Sequence, residues 1–155
     1  MEQDTLPYWS LIMIKQINNF SAVESKFEEL DFNDGTQKLF FDGNPTGKKI
    51  SGDAISQQFK IGKYYLLIMY QDGAFEGPDY FSAVLLDKQF NQIEEKFITL
   101  EGVDLILKDA VPIKDNEIKI TFADNCSVIL QICKIPFLPF NPFLKLKEWE
   151  VIRSN

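Results

Sequence analysis

The chain has 155 residues, 45% hydrophobic and 14% aromatic, with a formal charge of −7 and no histidine. That size and apolar content suit one globular domain burying roughly 70% of the surface its unfolded chain exposes, and a sequence pI of about 4.6 disfavours phosphate backbones and anionic membranes as electrostatic partners. The missing imidazole removes the usual general base, the commonest metal ligand and the nucleophile arrangements that rely on it, and two cysteines alone cannot complete a structural zinc site.

Met1-Glu2-Gln3-Asp4 has no basic leader pattern, and the longest apolar run, residues 64 to 70, is seven long against the roughly 18 needed to span a bilayer. A soluble cytoplasmic protein is the expectation. Residues 9 to 15 read as a first strand, short, apolar and bounded by polar positions. Ser21-Ala-Val-Glu24 has the Ser-x-x-Glu pattern that satisfies free backbone donors at a helix start. Val23, Phe27 and Leu30 follow at i, i+4 and i+7, so the spacing predicts a short helix over residues 22 to 30, laid on a sheet. The run Asp31-Phe-Asn33-Asp34-Gly35 fails as an EF-hand, because its glycine comes one residue early and the closing glutamate is missing.

Leu39-Phe40-Phe41 anchor a strand over residues 37 to 42, closed by the turn signal Asp42-Gly43-Asn44-Pro45, and residues 44 to 53 read as loop. Residues 55 to 61 lean to strand. Between residues 48 and 63, Lys48, Lys49, Lys60 and Lys63 outweigh Asp53 by 4 − 1 = 3 charges, a solvated edge rather than a nucleic-acid site. Residues 64 to 70 are apolar on both alternating faces, the pattern of a central strand covered on both sides. A polar loop with Gly73, Gly77 and Pro78 then leads to a strand over 80 to 86, a turn over 87 to 91 and a strand over 92 to 100. Val103, Leu105 and Leu107 alternate with Asp104 and Lys108, as Ile118, Ile120 and Phe122 do with Lys119 and Thr121, which predicts strands with one wet face.

Asp124-Asn125 makes a tight hairpin into residues 126 to 133. Cys126 and Cys133, at an odd separation, fall on opposite faces of that strand roughly 23 Å apart at about 3.3 Å per residue, so both are expected as reduced thiols. Three triplets follow, Pro136-Phe137-Leu138, Pro139-Phe140-Asn141 and Pro142-Phe143-Leu144. Their period matches the turn of a polyproline II helix, so residues 136 to 144 are expected as a stiff strap packed across the core. Charged Lys145, Lys147, Glu148 and Glu150 mark a final edge strand at about 146 to 152.

The elements add up to a mainly β, single-domain antiparallel fold of about eight to nine strands, a sandwich or a partly open barrel with one short helix packed against it, and an α+β class stays open. Two acidic groups stand out. Glu24, Glu28 and Asp31, at i, i+4 and i+7, would form a ridge on the helix, and Asp72, Glu76 and Asp79 flank Phe75 in a loop with no compensating cation. An aromatic among carboxylates offers contact energy with electrostatic steering, which points to a basic protein partner, with no nucleic acid, membrane, metal or cofactor.

The expectation is therefore a non-catalytic inhibitor or immunity-type protein that neutralises a basic protein such as a nuclease toxin, presenting carboxylates where that enzyme expects phosphates. Two alternatives stand beside it: a binder of a small apolar ligand, for which fourteen phenylalanines and five tyrosines supply lining, and a carboxylate-based hydrolase. An aromatic cavity, a flat acidic face or paired carboxylates in a cleft would separate the three.

Overall fold

The computed structural model describes residues 14–26, 33–73, 77–133 and 143–151. Among them lie twelve strands: β1 (Ile14–Gln16), β2 (Phe20–Lys26), β3 (Asn33–Phe41), β4 (Asn44–Ser51), β5 (Ala54–Ile61), β6 (Tyr64–Gln71), β7 (Tyr80–Leu86), β8 (Gln92–Ile98), β9 (Leu107–Lys114), β10 (Glu117–Phe122), β11 (Cys126–Ile132) and β12 (Leu144–Val151). They form three antiparallel sheets, in the orders β1-β5-β6-β7-β8, β12-β11-β10-β9 and β2-β3-β4. No helix occurs among the described residues, so none is long and apolar enough to cross a membrane.

The five-stranded sheet is the middle layer, because β6 and β7 are apolar on both faces. Leu66 and Ile68 of β6, with Phe81, Ala83 and Leu85 of β7, pack against Ile118, Ile120, Val128 and Leu130 of the four-stranded sheet. Their neighbours Leu67, Met69, Val84 and Leu86 point the other way, against Phe20, Leu39 and Ile50 of the three-stranded sheet. The result is sandwich-like with two dry interfaces, and the double alternation read from residues 64 to 70 has its cause in them. Phe20 closes the smaller interface, its ring 4.8, 5.1 and 5.6 Å from those of Phe41, Tyr65 and Phe90. Gln58 ties the layers further: its amide nitrogen donates to Phe20 O at 3.0 Å and its oxygen accepts from Phe20 N at 2.8 Å.

The turns follow their residues. Asp42 and Gly43, at φ 52° and 79°, make the two-residue hairpin between Phe41 and Asn44, with both central residues left-handed as Asp-Gly favours. Gly52, where the chain crosses from β4 into β5, has φ 126°, and a Cβ there would stand 3.0 Å from Gln71 Nε2 and 3.1 Å from Met69 Cε. Only glycine fits both that backbone and that space.

Several expectations need correction. The predicted helix over 22 to 30 is strand through Lys26, where β2 pairs with β3 and Val23 is 53% exposed rather than part of a buried stripe; residues 27 to 30 lie outside the described residues. Cross-strand pairing outweighs a capping pattern that only local donors support. The predicted loop over 44 to 53 contains β4, an edge strand in which Pro45 and Gly47 mask the periodicity. Of the alternating residues 103 to 107 only Leu107 belongs to a strand, since β9 runs on to Lys114.

Residues 9 to 13 of the expected first strand and 136 to 142 of the strap lie outside the described residues. Phe143 packs on the larger core and Leu144 opens β12, which forms one edge of its sheet. Cys126 and Cys133 are unbridged, the first buried and the second half-buried.

Candidate functional site

Three chain crossings bring carboxylates together at one end of the middle sheet. Asp53 enters from the turn between β4 and β5, its backbone N–H donating to Tyr70 O at 2.9 Å and its Oδ2 accepting from Asp72 N at 2.8 Å. Asp79 sits just before β7. Its Oδ2 accepts from the Tyr70 hydroxyl at 2.7 Å and its Oδ1 from Gly73 N at 3.0 Å. Asp104 arrives from the segment between β8 and β9, its Oδ1 accepting from Asp79 N at 2.8 Å while Leu105 N donates to Asp79 O at 3.1 Å. All three carboxylates thus hold the backbone of the one crossing between β6 and β7, at Asp72, Gly73 and Asp79, so the corner is preorganised by the groups that give it its charge.

The electrostatics follow from these bonds. The Tyr70 hydroxyl, and next the Gly73 N–H, hold the Asp79 carboxyl below its ordinary value, against a smaller opposing effect of desolvation. Tyr70 itself is pushed up to about 12, first by its bond to Asp79, then by burial and the negative field of Asp79, Asp72 and Asp53. At neutral pH the phenol is therefore a fixed donor and Asp79 a permanent anion. A carboxyl held down suits an electrostatic anchor and not a general acid, which requires a raised value. Among the described residues no lysine or arginine pairs with Asp53, Asp79 or Asp104, and no group of three ligating side chains could hold a metal ion.

A groove of about 460 Å³ runs beside the corner, lined by Ser56 and Gln57 of β5, Tyr70, Asp79, Phe81 and the segment from Leu105 to Lys108. Phe81 and Leu105 also belong to the larger core, so the groove opens directly on the interface between the middle and four-stranded sheets.

Of the residues singled out in the sequence, Asp72 and Asp79 meet at this corner. Glu24 is exposed on β2, in another layer; it pairs with Gln37, which pairs with Ile50 three residues before Asp53, so it shares the same end of the stack. Glu28, Asp31, Phe75 and Glu76 lie outside the described residues. Sequence reasoning missed Asp53, Asp104 and Tyr70. In the sequence Asp53 is only a counter-charge to the local lysines and Asp104 only an alternating polar residue, and no local signal shows that these two crossings meet. Comparison with protein-family models, with curated proteins and with solved structures finds no match.

Proposed function

We propose that the protein is a non-catalytic binding domain that docks a basic protein through the acidic corner, acting in the cytoplasm as an inhibitor or immunity-type protein against a target such as a nuclease toxin. The observation that carries this reading is the convergence of Asp53, Asp72, Asp79 and Asp104 at one end of the sheet, with backbone hydrogen bonds rather than cations holding Asp53, Asp79 and Asp104. A carboxylate set fixed this way loses little freedom on binding and meets a phosphate-seeking surface with complementary charge. The overall charge of −7 adds long-range attraction of the same sign and works against nucleic acid and anionic membrane.

The small-ligand alternative has the groove in its favour, with Tyr70 and Phe81 in its wall. Asp79, Lys108, Ser56 and Gln57 in the same wall suit a charged group better than an apolar one. The hydrolase alternative has paired carboxylates, but Asp79, the carboxyl in the groove wall, is held down rather than raised as a general acid requires.

The test is association with immobilised basic proteins as ionic strength is varied. Asp53→Asn with Asp104→Asn removes two charges while keeping an acceptor oxygen for each backbone N–H. The double variant should associate more slowly than wild type at low salt, and the difference should vanish at high salt. Equal rates at low salt would remove the corner from the interface.

A further inference from the structure

The sandwich formed by the middle and four-stranded sheets has two seams, and they differ. Along β8 and β12 the seam is shut: Glu94 of β8 accepts from Phe143 N and Leu144 N, both at 2.8 Å, and β12 lies against β8. Along β5 and β9 it is open and holds the groove. Both bordering strands carry one extra residue there, Ser56 between the paired Ile55 and Gln57 of β5 and Lys108 between the paired Leu107 and Asp109 of β9. Bulges of this kind bend a strand and re-aim its side chains, which keeps the two edges from closing on each other.

The groove's depth and rim differ in chemistry. Phe81 and Leu105 are only 3% and 2% exposed, so an entering group meets apolar surface below. On the wall stands Asp79, whose Oδ2 accepts from Tyr70 and Oδ1 from Gly73, with the Asp72 side chain as a further neighbour of the same carboxylate. A carboxylate offers about four acceptor positions, so these three partners leave room for a further donor. A guanidinium N–H can take the remaining position on Asp79, where the neighbouring Asp72 carboxylate adds to the negative field, and Tyr70, tied to Asp79, stands in the same wall. Lys108 in the same wall opposes added positive charge, so a lysine-rich run is disfavoured and a cation gains only where it reaches Asp79 directly.

We propose that this groove seats a single arginine side chain of the basic partner, with its guanidinium on Asp79 and its methylenes over Phe81 and Leu105. The inference rests on the basic-partner reading and narrows it from a charged face to one anchoring residue, the kind of contact that dominates interface energetics.

The probe is acetyl-arginine-N-methylamide, compared with its citrulline counterpart, which keeps the shape and lacks the charge. Both are titrated into the full chain while backbone amide resonances are followed. Arginine should shift Gly73, Asp79, Leu105 and Ile106, with citrulline and the Asp79→Asn variant each roughly tenfold weaker or more, the scale of one charge-assisted contact. Ser56→Trp should fill the groove with every carboxylate in place and abolish the arginine shifts. Gln57→Trp serves the same purpose if the first variant does not fold.

Shifts scattered over the surface acids, or citrulline binding as well as arginine, would overturn the proposal. If Ser56→Trp binds basic proteins at the wild-type rate while Asp53→Asn with Asp104→Asn is slowed, the acidic corner stands and arginine insertion falls. Arginine shifts in the groove without salt-dependent binding of basic proteins would leave the groove standing and remove the partner reading.

Discussion

Glu117 keeps a charge at 3% exposure because donors surround it: Lys147 Nζ at 2.6 Å and Gln131 Nε2 at 3.1 Å on Oε2, with Lys114 Nζ 3.9 Å from Oε1. The Lys147 bond, helped by the charges of Lys114 and Lys147 and by Gln131, holds the carboxyl below its ordinary 4.5 against the opposing effect of burial. A depressed carboxyl adds stability that is fully present above the unfolded value and is lost as pH falls through the lower folded one. Glu117→Gln should therefore lower the urea midpoint at neutral pH, and the gap to wild type should narrow as pH drops below 4.5. Midpoints measured from neutral pH to about pH 3 check this; a constant gap would show that the charge of Glu117 contributes nothing. At this scale the sequence is legible only in part. Asp72 and Asp79 are visible as loop acids without a nearby cation, whereas Glu117 looks like any strand-end charge, because its partners on β11 and β12 come from later in the chain.

Strands announce themselves when burial imposes a period, and the elements here divide on that ground. β6, β7, β10 and β11 are legible because alternate or successive positions face dry interfaces. β2 and β4 flank β3 at the two edges of the outer sheet, where β4 buries only Ile50, so neither has an apolar alternation to read. The four-stranded sheet illustrates a different device, a side chain that substitutes for a strand neighbour. Glu94 takes both the Phe143 and the Leu144 N–H, anchoring the start of β12 where Leu144 is fully buried. Glu94→Ala should cost about 3 to 6 kcal/mol, the range for losing two hydrogen bonds to a charged acceptor, with Glu94→Gln costing less because one oxygen remains. Hydrogen exchange reports it locally: the Leu144 amide should lose protection in the alanine variant while Ile118 and Val128 keep theirs. Unchanged protection at Leu144 would mean that strand pairing alone holds this end.

At the scale of the whole molecule, the double alternation of residues 64 to 70 shows that both faces of the middle sheet are covered, but the cover itself could not be read. One cover is the sheet β2-β3-β4, two of whose strands carry no apolar period, so its existence follows from the need to bury Leu67, Met69, Val84 and Leu86 rather than from its own sequence. This three-layer arrangement makes a sharp energetic statement about two adjacent residues. Leu66 and Leu67 are both at 0% exposure, one in each interface. Truncating a buried leucine loses its transfer free energy and leaves a cavity, so Leu66→Ala and Leu67→Ala should each cost about 2 to 5 kcal/mol. In a two-layer sandwich one of two neighbours on a strand faces water, and its truncation would cost within about 0.5 kcal/mol. Chemical denaturation of the two variants distinguishes the architectures: comparable losses require dry cover on both faces, whereas a near-neutral Leu67→Ala would mean that the outer sheet does not pack on the middle one in solution.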